Sequence, residues 1–451
     1  ALVRTRQIAA GCALLALIAI GASIFGYVSM QHAQSTRQMA ETARSESERL
    51  IVYLFDDFSR ELEPLGRLEI VAGLARHVLK YYEGLPEELR TPETDRNRAM
   101  ALARYGSVLV SQGNLNEAKL ALDDSIQTLD RLRQGGDASE PTAVGLAMGL
   151  RARARALHAG GRSTDSLAPA AQAVEVIKPV ATAAGSSVAA RRTYGAVLTY
   201  LGFLQLRQNQ AELAAASLAA ARDALSSLDE LSLVDLNAAA KYAETSAWLV
   251  ETFTELGRLD DAKRVGEEGR SVASRLLKLH PTHLQALSAR ALLADSLADI
   301  ETNELDAASG LALLDEATHD WAMLTQIDPS DVISWSNLGA SRLSAAEVLL
   351  SLGRPRAAIA RLGELQPIEA EAESSWMVAG VLNGNRARMA LLTGEIGDIR
   401  RSENLRRESL EHFEVATRDL SAESFELPYW RLDSLVGDID IALSHGNYRR
   451  A

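Results

Sequence analysis

Cysteine, proline and aromatic residues are scarce in this chain of 451 residues. Its one cysteine, Cys12, cannot form an intrachain disulfide, so cysteine usage leaves the redox compartment undecided. Proline occurs 11 times and aromatic residues make up 5% of the chain. Ala and Leu dominate the remainder, which is typical of helical proteins. The composition therefore favours an all-α fold.

Positive charge is also in deficit, because the formal net charge is −13. A phosphate-binding surface needs a clustered basic face, so we expect no nucleic-acid partner. The sequence contains no G-x-x-x-x-G-K-[ST] loop, no H-E-x-x-H helix and no G-x-S-x-G motif. His280 and His283 flank a proline that marks a turn, and no further metal ligand stands near them. We therefore predict no catalytic residue, no metal and no cofactor, and a chain that is not an enzyme.

One long uncharged segment occupies residues 8–30. At about 1.5 Å per residue it is long enough to cross a hydrocarbon core of roughly 30 Å. A cleavable signal peptide is the alternative, but its apolar region is usually only about 7–15 residues long. Residues 1–30 are thus predicted as a transmembrane helix with a short N-terminal flank, through which the chain contacts the membrane. Small residues four apart in this segment would allow a homodimer, although that spacing also arises by chance in Ala-rich helices.

The rest of the chain divides into a juxtamembrane helical region with a linker, residues 31–97, and a repeat region, residues 98–451. A turn of the form G-x-Φ-x-x-A recurs, with degenerate copies, at a period of about 48 residues. A hairpin of two helices cannot bury its apolar face alone, so neighbours must stack into a right-handed α-solenoid. The copies of the turn end at Ala118, Ser166, Ala214, Ala262, Ala308, Ala358, Ile399 and Ala451.

The repeats resemble the tetratricopeptide family. The pattern of large and small residues through Leu102, Gly106, Leu109 and Gly113 is similar to its consensus, and Trp335, Leu338 and Gly339 resemble its W-x-x-L-G opening. The resemblance implies an array of helical hairpins that binds other proteins. The usual period of about 34 residues has grown to about 48. Between Gly339 and Gly353 we expect an insertion of about seven residues relative to the family.

The wider layout resembles bacterial signalling proteins in which a kinase, TIR, winged-helix or cyclase module precedes one membrane helix and a repeat array. The motif that carries this resemblance is LIVYLFDDFSRELEPLGRLEIV followed by KYY. It implies a module upstream of Ala1 and a single-pass inner-membrane protein with its repeats in the periplasm. The last turn copy stops where a second helix should begin, so we also expect residues beyond Ala451.

A basic stripe lies in the second repeat, where Arg151, Arg155 and His158 are spaced i, i+4 and i+7. The tetratricopeptide alignment places these positions in the concave groove, together with Phe203 and Arg207 of the next repeat. Bidentate arginine contacts could hold a partner's carboxylates there. The alternative is that the arginines are solvated or pair with neighbouring repeats.

The sequence thus predicts a membrane-anchored scaffold or sensor whose array binds a protein or peptide partner. Two alternatives stay open. The chain could be the regulatory region of a larger signalling enzyme, or it could be an assembly factor for a membrane complex.

Overall fold

The computed structural model describes residues 26, 27, 29–32, 35, 42, 68–87, 90–229, 236–328, 332–362, 404 and 407. The chain divides into two compact units, Ala1–Ser59 and Arg60–Ala451, and the helical array belongs to the second. Within the described ranges the regular structure is entirely helical and contains no strand. This confirms the predicted all-α class.

The second unit consists of tandem helical hairpins preceded by one further helix, α1. Each hairpin pairs a first helix with a second helix through a three-residue turn. The helices described are α1 Leu68–Glu83, α2 Pro92–Ser111, α3 Leu115–Gln134, α4 Glu140–Ala159, α5 Ser163–Ala181, α6 Val188–Arg207, α7 Ala211–Asp229, α8 Leu236–Glu255, α9 Leu259–Leu279, α10 Leu284–Asn303, α11 Ala307–Ile327, α12 Val332–Ser351 and α13 Pro355–Leu362.

The period is 48 residues without exception in this part of the chain. First helices begin at residues 92, 140, 188, 236, 284 and 332, and second helices follow the same spacing from residue 115. The turn copy predicted to end at Ala308 was therefore placed two residues early. Its equivalent small residue is Gly310, which is buried where α11 approaches α10. The turn copies at Ile399 and Ala451 lie outside the described residues.

The turns inside the hairpins all contain one residue with a left-handed backbone. In each, the following N–H donates to a carbonyl five residues back, as from Asn114 to Leu109 at 2.9 Å, which satisfies the open end of the first helix. Glycine adopts this conformation without strain, whereas the leucine among the six does not. The left-handed residues are Gly113, Gly161, Asn209, Gly257, Leu305 and Gly353.

Longer helices explain why the period exceeds that of the tetratricopeptide family. In α6, Gly195 is the eighth residue and Gly202 the fifteenth, and a Cβ on either would lie within 2.6 Å of a buried leucine of α7. The helices α6 and α7 of this hairpin thus approach closely at two points. The insertion predicted before Gly353 was wrong, because Gly339 occupies the eighth position of its helix and Gly106 the fifteenth.

Hydroxyl side chains cap two of the first helices at equivalent positions. Thr91 and Ser187 accept hydrogen bonds from the N–H groups of Thr94 and Ala190. Pro92 occupies the first position of α2, where its missing N–H costs nothing. Residues 92–97 therefore start the first hairpin, although they were predicted as the end of a linker.

At the fifth hairpin a histidine replaces the hydroxyl cap. His283 Nδ1 accepts from the Ala286 N–H at 3.3 Å, and His280 ends α9. This confirms the prediction that the two histidines belong to a turn between helices.

Burial and polar contacts join the hairpins along the whole described array. Leu218, Val250 and Leu293 belong to one apolar cluster that spans three hairpins. Arg222 of α7 pairs with Glu268 of α9 at 2.6 Å. Each hairpin therefore depends on its neighbours for burial, as expected for a repeat array.

The predicted membrane localisation needs correction, and most of the predicted span lies outside the described residues. No helix in the described ranges is both long and apolar enough to span a membrane. The predicted localisation, a single-pass inner-membrane protein with periplasmic repeats, is therefore wrong. The segment that motivated it, residues 8–30, lies outside the described residues except for residues 26, 27, 29 and 30.

Candidate functional site

One position of the first helices forms a continuous line of accessible side chains, which we call the helix row. It is the sixteenth residue of each first helix, one side chain per hairpin. Every member is partly or fully exposed. The row consists of Ser107, Arg155, Phe203, Glu251, Asp299 and Glu347.

Aromatic side chains stack around the middle of the helix row. The ring of Phe203 lies 4.8 Å from that of Trp248 and 5.7 Å from that of Tyr200, centroid to centroid. Tyr200 and Trp248 are equivalent residues of neighbouring first helices, both at the thirteenth position. Because all three are only half-buried, they offer an apolar surface that a partner can cover.

Arg207 covers one edge of this aromatic cluster. Its guanidinium carbon lies 5.4 Å from the Phe203 ring centroid and 5.6 Å from that of Trp248. It also pairs with Glu251 of the next hairpin at 3.2 Å, with about 40% of both side chains exposed. The stacking fixes the arginine in place, and the partly exposed ion pair contributes little stability of its own.

Arg155 extends the helix row toward the first hairpin. Its guanidinium donates to Ser107 Oγ at 3.3 Å and to Ser111 Oγ at 3.2 Å, both on α2. Burial raises the pKa of the Tyr200 hydroxyl, while Arg155 and Arg151 act to lower it, so both cations lie near this ring. This end of the row is therefore basic and hydrogen-bonded across two hairpins.

His158 lies beneath the cluster and is buried. Its ring meets Phe203 edge-on at 5.3 Å, and its Nδ1 lies 3.0 Å from Ser163 Oγ. Burial, with a smaller effect of Arg207, lowers the pKa of His158 to about 4, so the ring is neutral at pH 7. It supports Phe203 and is not positioned to contact a partner directly.

Carboxylates occupy the other half of the row. Burial raises the pKa of Asp299, and the charges of Glu347 and Glu251 raise it further. One turn earlier on α10, Asp295 Oδ2 accepts hydrogen bonds from Trp321 Nε1 and Ser341 Oγ, each at 2.9 Å. Burial raises the pKa of Asp295 to about 7. The helix row thus carries carboxylates from the fourth hairpin to the sixth.

The structure brings together the five residues predicted from the sequence. His158, Phe203 and Arg207 are in one cluster, and Arg151 and Arg155 lie beside Tyr200. Arg155 and Arg207 bond to neighbouring hairpins, as the alternative interpretation expected. Tyr200 and Trp248 were not among the residues predicted to bind a partner. The 48-residue period carried the missing signal, since Tyr200 and Trp248 are one period apart.

Other features of the described residues are less suited to binding. A cavity of about 250 Å³ lies between α7, α8 and α9, but its Arg222 and Arg264 already contact Glu268. Within the described ranges no group of three or more His, Cys, Asp or Glu residues could hold a metal ion.

The chain matches no family model and no curated protein. Among solved structures it is similar to human IFIT1, a dimer with m7Gppp-AAAA, at 13% identity over 92% of this chain and 84% of that chain, with a TM-score of 0.43. It is also similar to the S. pombe nuclear import adaptor Nro1, at 10% identity over 72% and 99% of the two chains, with a TM-score of 0.43. A Rap protein complexed with Competence and Sporulation Factor matches at 13% identity over 83% and 99%, with a TM-score of 0.40. At 10–13% identity and TM-scores of 0.40–0.43, this similarity says nothing about the role or the ligand of this chain.

Proposed function

We propose that this chain is a non-catalytic helical-repeat scaffold that binds a protein or peptide segment on the helix row, centred on Phe203 and Trp248. The observation that carries the proposal is the half-buried aromatic stack with Arg207 held against it. Aromatic and arginine side chains in such a setting are the residue types that dominate binding energy at protein interfaces. Regulation of a signalling enzyme and assembly of a complex would both use this same recognition step.

A nucleic acid is the less suitable partner. Arginine and aromatic rings can stack on bases, but the chain has a net charge of −13 and its row continues into three carboxylates. A phosphate backbone that followed the row past Trp248 would meet Glu251, Asp299 and Glu347. A polypeptide can match both signs of charge.

The proposal is tested by selecting random 12-residue peptides, displayed on phage, against the full chain. Enriched peptides are then synthesised with a fluorescent label and titrated against the wild type, Phe203→Ser and Arg207→Ala. We expect each substitution to weaken binding about tenfold or more, since it removes part of the central contact. A labelled single-stranded RNA is titrated in parallel.

Arg153→Ala is the matched control, because Arg153 lies on α4 but pairs with Asp123 at 3.0 Å, away from the helix row. We expect it to leave peptide affinity unchanged. Failure to enrich any peptide, or affinities that are indifferent to Phe203→Ser, would reject the proposal. Tighter binding of the RNA than of any peptide would reject it in favour of a nucleic-acid function.

A further inference from the structure

The two arginines that flank Phe203 differ in what balances their charge. Arg207 is ion-paired with Glu251 at 3.2 Å. Arg155 instead donates to neutral oxygens, from Nη1 to Ser107 Oγ at 3.3 Å and from Nη2 to Ser111 Oγ at 3.2 Å. Within the described ranges of the chain, Arg155 takes part in no ion pair. The charge of this guanidinium is therefore held in place but not neutralised by a contacting carboxylate.

Hydrogen bonds across two hairpins fix the position of the Arg155 guanidinium. The side chain leaves α4 and reaches two hydroxyl groups on α2, and Ser111 Oγ in turn donates to the Ser107 carbonyl at 3.3 Å. A guanidinium has five N–H donors, so two bonds to serine leave others for a ligand. The side chain is only partly buried, so a ligand can reach them. A cation that is already ordered loses little further entropy when it binds an anion.

Aromatic rings lie next to this cation. Arg155 acts to lower the pKa of the Tyr200 hydroxyl, but burial has the larger effect and raises it, so the phenol is neutral at pH 7 and does not balance the guanidinium. Tyr200 stacks on Phe203, which occupies the same helix position as Arg155 in the following hairpin. A charge contact beside an apolar surface is stronger than one surrounded by water. The site therefore suits an anion that arrives together with an apolar group.

We infer that Arg155 binds an acidic side chain of the partner segment, an Asp or Glu two or three residues away from an apolar side chain that covers Phe203. Neighbouring helices lie about 8–10 Å apart, and an extended segment advances about 3.3 Å per residue, which gives this spacing. The row continues on both sides of Arg155, so the segment crosses the arginine and does not end there. A side chain, and not a terminal carboxylate, thus supplies the anion.

This inference rests on the proposed function, because it names a feature of the partner bound on the same surface. The tightest peptide from the phage selection is synthesised with an amidated C-terminus, so that only its side chains carry carboxylates. In a second peptide the acidic residue closest to the apolar anchor is replaced by its amide, and in a third it is replaced by lysine. Each peptide is titrated against the full chain as wild type, Arg155→Gln and Arg155→Glu.

We expect the amide replacement and Arg155→Gln each to weaken binding about tenfold. Their combination should weaken it little more than either change alone, since both remove the same contact. The lysine peptide should bind Arg155→Glu at least about tenfold more tightly than it binds the wild type. Lys178→Glu is the matched control, because it makes the same change of charge at an exposed position of α5, a second helix. It should leave all three affinities unchanged.

The outcomes separate the two proposals. Enriched peptides without an acidic residue, an amide replacement that costs as much in Arg155→Gln as in the wild type, or no gain of the lysine peptide with Arg155→Glu would overturn the inference. If binding is nevertheless lost in Phe203→Ser, only the acidic side chain is wrongly assigned and the scaffold proposal stands. If no peptide is enriched, or if Phe203→Ser has no effect, both fail. Each variant is compared between peptides, so a partial loss of folded protein cannot imitate the coupling, and circular dichroism melts measure that loss.

Discussion

At the scale of single residues, Leu305 is the clearest conflict between a side chain and its backbone. Its φ is 70°, in the region that the equivalent turns fill mostly with glycine, and its side chain is 92% exposed. A non-glycine residue in this region costs about 1–2 kcal/mol, and no burial of the leucine compensates it. The strain is therefore local to one turn.

We predict that Leu305→Gly raises the free energy of unfolding by about 1 kcal/mol, because glycine relieves the strain but loses more chain entropy on folding. Urea denaturation followed by circular dichroism measures the change. The reciprocal variant Gly353→Leu, at a φ of 68°, should lower the free energy of unfolding. Two changes of the same sign would contradict this explanation.

Asp295 makes the stability of the fold depend on pH, and the direction of the raised pKa fixes the sign of that dependence. Burial raises its pKa to about 7 in the folded chain, from an ordinary value near 3.8. Between these two values the folded state holds a proton that the unfolded state has lost, so this group's contribution to stability falls as pH rises from about 4 to 7. Above pH 7 the folded chain carries a buried carboxylate.

We predict that Asp295→Asn removes this slope, so its stability relative to the wild type improves by a few kcal/mol between pH 5 and pH 8. Chemical denaturation at four pH values measures the difference. Asp260→Asn, which changes an exposed carboxylate, is the control. A difference for Asp295→Asn that stays constant over this range would show that the carboxylate is already ionised at low pH.

At the scale of helices, small residues set how closely the two members of a hairpin pack. A Cβ on Gly195 would lie 2.5 Å from Leu225 Cγ, and Leu225 is fully buried in α7. Packed interiors resist such overlap, since neighbouring side chains cannot shift without losing their own contacts. The spacing of α6 and α7 thus depends on the absence of a side chain.

We predict that Gly195→Val lowers the free energy of unfolding by about 2–3 kcal/mol. Combining it with Leu225→Ala should destabilise less than the sum of the two single changes, because the alanine leaves room for the valine. Thermal melts of the four proteins in this cycle measure the coupling. Gly73→Val is the control, since a Cβ there meets nothing within 4 Å, and additive effects would reject the explanation.

At the scale of the whole described array, every hairpin has the same length of 48 residues, so equivalent positions in any two hairpins can be matched one to one. The helices and the left-handed turn residue of each described hairpin recur at the same positions, so removing one full period rejoins equivalent positions. Stability in such arrays is approximately a sum over repeats and their interfaces. A deletion that ends inside a first helix would instead shorten that helix and join its remainder to the chain out of register.

We predict that deleting residues 188–235 leaves a folded, helical chain with lower stability, in which Ser187 caps α8. The deletion removes Tyr200, Phe203 and Arg207, so peptide binding on the helix row should be lost. Circular dichroism and the peptide titration measure the two effects. Removing 188–245 instead, which also deletes the first ten residues of α8, should disrupt cooperative unfolding, and an equally stable product would contradict the role of the period.

The sequence alone determined the helical class, the period and most of the turn positions. These features depend on residues close together in the chain, such as Gly113 at the left-handed position of a turn and Ala118 just after it. Two sequence predictions were wrong where the local pattern was weak. The end of one turn copy was placed at Ala308 instead of Gly310, and an insertion was predicted before Gly353. The turn at Leu305 lacks the glycine that indicates most of the equivalent turns in the sequence.

Only the tertiary structure decided which side chains form the helix row. Phe203 and Trp248 meet because their helices stack side by side, and Arg155 and Asp299 share one surface although 144 residues separate them. The sequence pointed to Arg155 and Phe203 of the row and to Arg151, His158 and Arg207 beside it, since these five lie at helical spacing in two adjacent repeats. It could not show that His158 is buried or that the row becomes acidic beyond Trp248. Those properties arise from contacts between hairpins, which chain neighbours do not specify.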